Sequence, residues 1–174
     1  MAKEPSRPPR AVRLTREAIG ERLAGFIYGT IIVLAVVVAG AKAYPDDAGR
    51  IAALAGVSSL VLWLAHVYAH GLAYSVAHDR HLSLSALRYI ARREASMVGA
   101  ALPPIAALLL GAFDVVSTDL AVWLAIGLGL VVLAVQGITF AHVERLGWFG
   151  TLLVVAANVG LGVVLVGLKL LLTH

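Results

Sequence analysis

The stretch "WLAHVYAHGLAYSVAHDRH", residues 63 to 81, holds four of the chain's six histidines, and two of them, His66 and His70, stand four residues apart inside an uncharged run. On a helix, at about 100° per residue, Ser59, Trp63, His66, His70, Tyr74 and His81 fall within an arc of roughly 80°. An i, i+4 histidine pair can project both imidazoles to one point, the arrangement by which helices chelate a transition metal. Ionisable side chains placed deep in an apolar helix usually face a bundle interior or a wet cavity. Three kinds of chemistry follow for this stripe. Neutral histidines can hydrogen-bond across helices as packing glue. The stripe can carry a proton or cation. His66 and His70 can hold a metal, given further ligands.

The rest of the apolar sequence offers little else. Tyr28, Thr30, Gln136, Thr139 and Asn158 are its other polar residues of note, all poor metal ligands, and no carboxylate or cysteine accompanies them. Membrane di-iron enzymes need several histidine clusters, and a bis-histidine haem needs ligands on opposite faces of the macrocycle. Here His66 and His70 share a face, and the other histidine near a span, His142, stands at the end of the fourth run. Neither a nucleophile triad nor a carboxylate pair occurs at depth, so the chain reads as a non-enzyme, and no cofactor or nucleic-acid partner is expected. Pro103 and Pro104 together remove two backbone donors and predict a kink or break in the third run. Membrane helices tolerate such breaks where protein or water satisfies the freed carbonyls.

The elements that carry these residues follow from hydropathy. The 174 residues are 60% hydrophobic and 14% charged, with a mean hydropathy of +0.91, against about 45–50% apolar and ~25% charged for a soluble domain. Five uncharged runs, Leu23–Ala41, Ile51–Ala77, Ala95–Phe113, Leu120–Ala141 and Leu146–Leu168, exclude every Lys, Arg, Asp and Glu. At about 1.5 Å per residue, each approaches or exceeds the ~30 Å hydrocarbon core of a bilayer. Backbone groups in lipid must be satisfied internally, so the runs read as helices. The fold class expected is all-α, a polytopic membrane protein in which 11–174 form one five-helix domain.

Eleven basic residues (Lys3, Arg7, Arg10, Arg13, Arg16, Arg22, Arg80, Arg88, Arg92, Arg93 and Arg145) lie on one side of these runs, and Lys42, Arg50 and Lys169 on the other. The positive-inside bias then predicts a cytoplasmic N-terminus and an external C-terminus. That points to the cell membrane, or the inner membrane of a prokaryote. Ala41-Lys42-Ala43 resembles a signal-peptidase site, but the 19-residue run before it exceeds a ~7–15-residue signal core, so retention as a first span is expected. Residues 1–10, "MAKEPSRPPR", read as a disordered basic tail lying near anionic lipids. "AVRLTREAIGER" reads as helical, either on the membrane surface or lengthening the first span. In the second loop, Ser83 or Ser85 can cap a short amphipathic helix with Leu87 and Ile90 opposite Arg88, Arg92 and Arg93. Gly25-x-x-x-Gly29 and the glycines of the last two runs predict close helix packing, with a homodimer as one use of it.

In the first run, "REAIGERLAGFIYGTIIVLAVVVAG" resembles the opening helix of the vacuolar iron transporter family, which has a Gly-x-x-Asp-Gly element there. A long second helix, a proline-bearing third span and two further spans match that family in outline. The resemblance implies five helices, a homodimer and metal transport. Its metal-binding Asp falls at Tyr28, and its second-helix Met and Glu fall in the neighbourhood of Tyr68, His70 and Leu72. "ERLAGFIYG", "WLAH" and a later Leu-Pro are similar to bacterial relatives of the lysosomal potassium channel. Arg22, Phe26, Gly29, Trp63 and His66 match that family's motifs, and its Ser-Asp pair is Ile27-Tyr28 here. Two functions are therefore expected in competition: a transporter of a cation, metal or proton along His66, His70 and Tyr74, or a non-transporting membrane interaction protein with a dry core.

Overall fold

The computed structural model describes residues 10–78 and 83–172, and these form six helices with no strand among them. They are α1 (Arg10–Ala43), α2 (Ala48–His78), α3 (Leu84–Gly99), α4 (Leu102–Ala112), α5 (Thr118–Val143) and α6 (Trp148–Leu172). All but the last residue of the expected N-terminal tail lie outside the described residues, as do Arg80 and His81; Arg10 is already helical.

α1 is one continuous helix of 34 residues, so "AVRLTREAIGER" lengthens the first span rather than forming a separate surface helix. At about 1.5 Å per residue it is longer than the ~30 Å of a bilayer's hydrocarbon. α1 packs against α2, α3, α5 and α6 and is the centre of the bundle. Its buried face carries Val33, Leu34, Val37 and Val38, which meet Ile51, Ala52 and Ala55 of α2, Ala107 and Leu108 of α4, and Val122, Ala125, Ile126 and Leu133 of α5. On α5 the buried residues recur as Ala121, Val122, Ala125, Ile126, Gly129 and Leu133, which is the 3.6-residue period of one helical stripe. The opposite faces are also apolar: Val57, Val61 and Leu64 of α2, Val131 and Val135 of α5, and Leu152 and Leu153 of α6 are all exposed. A helix apolar all round is stable where its outer face meets lipid.

Among the described residues three stretches are long and apolar enough to cross a membrane: Ala18–Ala43, Ala48–Val76 and Thr118–Val143. The pair α3 and α4 makes a fourth if taken as one span, and Trp148–Val164 of α6 is a shorter apolar stretch. Three to four helices thus meet the length, where the hydropathy runs predict five.

The third run is divided between two helices. α3 and α4 meet at 51°, and the break falls at Ala100 and Ala101, ahead of Pro103 and Pro104. The reason is positional. Proline is tolerated in a helix's first turn, where its missing N–H has no partner to lose. The pair therefore starts α4 instead of bending a longer helix, with Ala101 as its N-cap. The first half of the run joins the loop helix: Ser83 caps α3, its Oγ accepting from the Ala86 N–H at 3.2 Å, and the helix continues to Gly99.

Close approach of α3 to α1 is set by glycine. A Cβ on Gly29 would stand 2.6 Å from the Met97 carbonyl oxygen, and one on Gly25 would collide with the Ser96 hydroxyl. Gly25-x-x-x-Gly29 is spent inside the chain, on α3. In the other half, a Cβ on Gly162 would meet Leu130 at 2.5 Å, whereas Gly127, Gly160 and Gly167 have open space around them.

Candidate functional site

The α2 stripe faces α1 and α3. Trp63 donates from Nε1 to the Ala91 carbonyl at 3.0 Å, tying α2 to α3. Ser59 is buried, and its hydroxyl donates to the Ala55 carbonyl at 2.7 Å. Thr30 on α1 likewise donates to the Phe26 carbonyl at 2.7 Å. These two buried hydroxyls are satisfied within their own helices and mark the floor of the polar zone. Apolar core lies beyond them.

Above that floor His66 and His70 line a cavity of about 400 Å³ together with Tyr28, Glu21, Arg93 and Glu94. The Tyr28 and His66 rings are 5.6 Å apart at 52°, and the His66 and His70 rings 6.1 Å apart. Each histidine has Nδ1 at 3.0 Å from a backbone carbonyl four residues back, Leu62 for His66 and His66 for His70. A carbonyl only accepts, so Nδ1 carries the proton and Nε2 holds the lone pair of each neutral ring. Those lone pairs are the site's basic centres. Glu94, with a side chain only 13% exposed, places Oε1 3.7 Å from His70 Nδ1, beyond hydrogen-bond length but within ion-pair range once the ring is protonated. Arg93 pairs with Glu21 across α3 and α1. Both partners are well exposed, so the pair contributes about 0–1 kcal/mol and serves mainly to fix position.

Of the residues singled out in the sequence, Tyr28, His66 and His70 come together. Tyr74 lines an adjoining cavity of about 500 Å³ with His70, Ser83, Ser85, Tyr89 and Arg93, so His70 stands between the two spaces. Pro103 and Pro104 line neither. Asn158 donates from Nδ2 to the Leu133 carbonyl at 3.5 Å and serves the α5–α6 contact. The His142 ring is exposed, its Nδ1 donating to the Ile138 carbonyl at 2.9 Å. No group of three metal-ligating side chains occurs among the described residues, and His66 and His70 remain a pair.

The sequence reading missed Glu21, Arg93 and Glu94. It asked for carboxylates inside the uncharged runs, and these lie just outside them. Glu21 is two residues before Leu23 and Glu94 directly before Ala95. The available signal was that a charge abutting an apolar run on an amphipathic helix can turn inward.

Compared with known protein families, curated proteins and solved structures, the chain matches none.

Proposed function

We propose that this chain is a multi-pass membrane protein that moves protons or small cations by way of the pocket between α1, α2 and α3. One observation carries the reading: the two histidines of α2 share a cavity with a tyrosine, an arginine and two carboxylates. His66 and His70 supply proton-accepting nitrogens, Glu94 supplies the counter-charge, and Tyr28 supplies a hydroxyl at the inner edge. Intramembrane ionisable groups in such company mark ion and proton pathways in other membrane proteins. A transition metal is the less supported cargo, because no group of three metal-ligating side chains placed to hold an ion occurs among the described residues.

In this reading α6, 25 residues long as a whole, is a fifth span. The N-terminus is cytoplasmic and the C-terminus external, in the cell membrane or a prokaryotic inner membrane. The basic N-terminal tail is drawn to anionic lipids. A homodimer supplies the symmetry that five helices lack by themselves.

One observation favours a second reading, a membrane interaction protein that transports nothing. Beyond Thr30 and Ser59 the core from Val33 to Leu133 is apolar and closed. Reconstitution into liposomes separates the two. Under a proton or potassium gradient the transporter reading expects flux above protein-free vesicles, reduced to background by His66→Ala with His70→Ala. Absence of flux from the unaltered protein under proton, potassium and manganese gradients establishes the second reading.

A further inference from the structure

A third polar cavity, of about 250 Å³, lies between α1 and α3 and is lined by Arg22, Arg92, Arg93, Tyr89 and Glu21. Three guanidinium groups there face one carboxylate, and Glu21 is already engaged by Arg93. Among the described residues Arg22 and Arg92 have no ion-pair partner. Like charges lining one cavity repel unless an anion joins them. The level of the cavity narrows what that anion is. Arg22 directly precedes the uncharged run that starts at Leu23, and Arg92 and Arg93 stand two and one residues before Glu94, the last charge before Ala95. Both helices therefore pass from charged to apolar at the cavity. Lipid phosphates lie at that boundary, and exposed aromatic residues such as Tyr89 collect there. Arginine's planar fork matches phosphate oxygens two at a time.

We infer that Arg22 and Arg92, with Arg93 held beside them by Glu21, form a binding site for the phosphate group of an anionic phosphoester, as carried by a phospholipid headgroup. The site adjoins the histidine pocket and shares Arg93 and Glu21 with it, but Arg22 and Arg92 line only the new cavity; the proposal does not depend on transport and is distinct from diffuse attraction of the N-terminal tail.

The test uses the full chain in neutral detergent at fixed salt. Phosphatidylglycerol, phosphatidylcholine and soluble glycerol 1-phosphate are the probes, with binding followed by native mass spectrometry and thermal shift. Phosphatidylglycerol is expected to bind and raise the melting temperature, with phosphatidylcholine much weaker. Arg22→Gln with Arg92→Gln weakens binding by about tenfold or more, and Arg92→Gln alone weakens it several-fold, while Arg88→Gln, the same single charge change on α3 but outside the cavity, leaves it within about twofold. Both replaced arginines are exposed, so the unliganded melting temperature should hold; single Arg92→Gln serves if it does not. A response to the lipid alone assigns the ligand to the membrane, and an equal response to glycerol 1-phosphate assigns it to a soluble phosphoester; either supports the site. Wild-type affinity in the double variant, an equal loss in Arg88→Gln, or no response to any phosphate probe overturns it.

Discussion

Gly29 of α1 and Met97 of α3 meet backbone to backbone: a Cβ on Gly29 would lie 2.6 Å from the Met97 carbonyl oxygen and 3.0 Å from its Cα. This contact lets α3 lie close enough to α1 and α2 to bring Glu94 beside His70 and Arg93 beside Glu21. The polar pocket thus depends on a residue with no chemistry of its own.

Gly29→Ala should therefore destabilise the protein by about 1–3 kcal/mol, because a backbone atom cannot rotate away as a side chain can. Gly127→Ala, with nothing within 4 Å of the added carbon, should be neutral or gain up to about 1 kcal/mol from helix propensity. Thermal unfolding of both variants in one detergent checks the pair. Equal effects would place the α1–α3 contact elsewhere.

Arg145 ends α5 with φ at 53°, and the Leu146 N–H donates back to the Ala141 carbonyl at 2.9 Å. This is the helix-closing geometry that glycine adopts without strain. Arg145→Gly should raise stability by about 1 kcal/mol, read as a higher melting temperature. A loss would mean that the Arg145 side chain makes a stabilising contact.

Trp63→Phe keeps the ring's bulk and removes the indole donor to Ala91. It should cost about 1 kcal/mol. Hydrogen exchange should quicken in α3 while α5 stays unchanged, and uniform acceleration would show that the bond is not specific to the α2–α3 contact.

The membrane-type helices and the histidine stripe were legible in the sequence because hydropathy and a 3.6-residue period are local properties. His66, His70 and Tyr28 could be named for that reason, and so could the Ser83 cap. What faces them was not legible. Glu94 and Glu21 are brought in by the packing of α3 on α1, which depends on glycines 68 to 72 residues away from their partners. The third run was legible in part. Pro103 and Pro104 signal a break, but the break's position at Ala100 and Ala101 follows from proline's preference for a helix start, which a count of apolar residues does not weigh. The arginines of α3 are of one type, yet Arg93 pairs with Glu21 and lines the cavities, whereas Arg88 lines none of those described.

The proposed transporter needs a histidine pocket open to water, set in a bundle that lipid surrounds. The chain has no cysteine, so one introduced thiol reports on one place. Ala24 lines the pocket, Leu34 is fully buried in the core, and Leu60 is half-exposed on the outer face of α2. In proteoliposomes, a membrane-impermeant maleimide should label Ala24→Cys rapidly and leave Leu34→Cys and Leu60→Cys unmodified until the bilayer is dissolved. Rapid labelling of Leu60→Cys in the intact vesicle, or an unreactive Ala24→Cys in a folded protein, would contradict it.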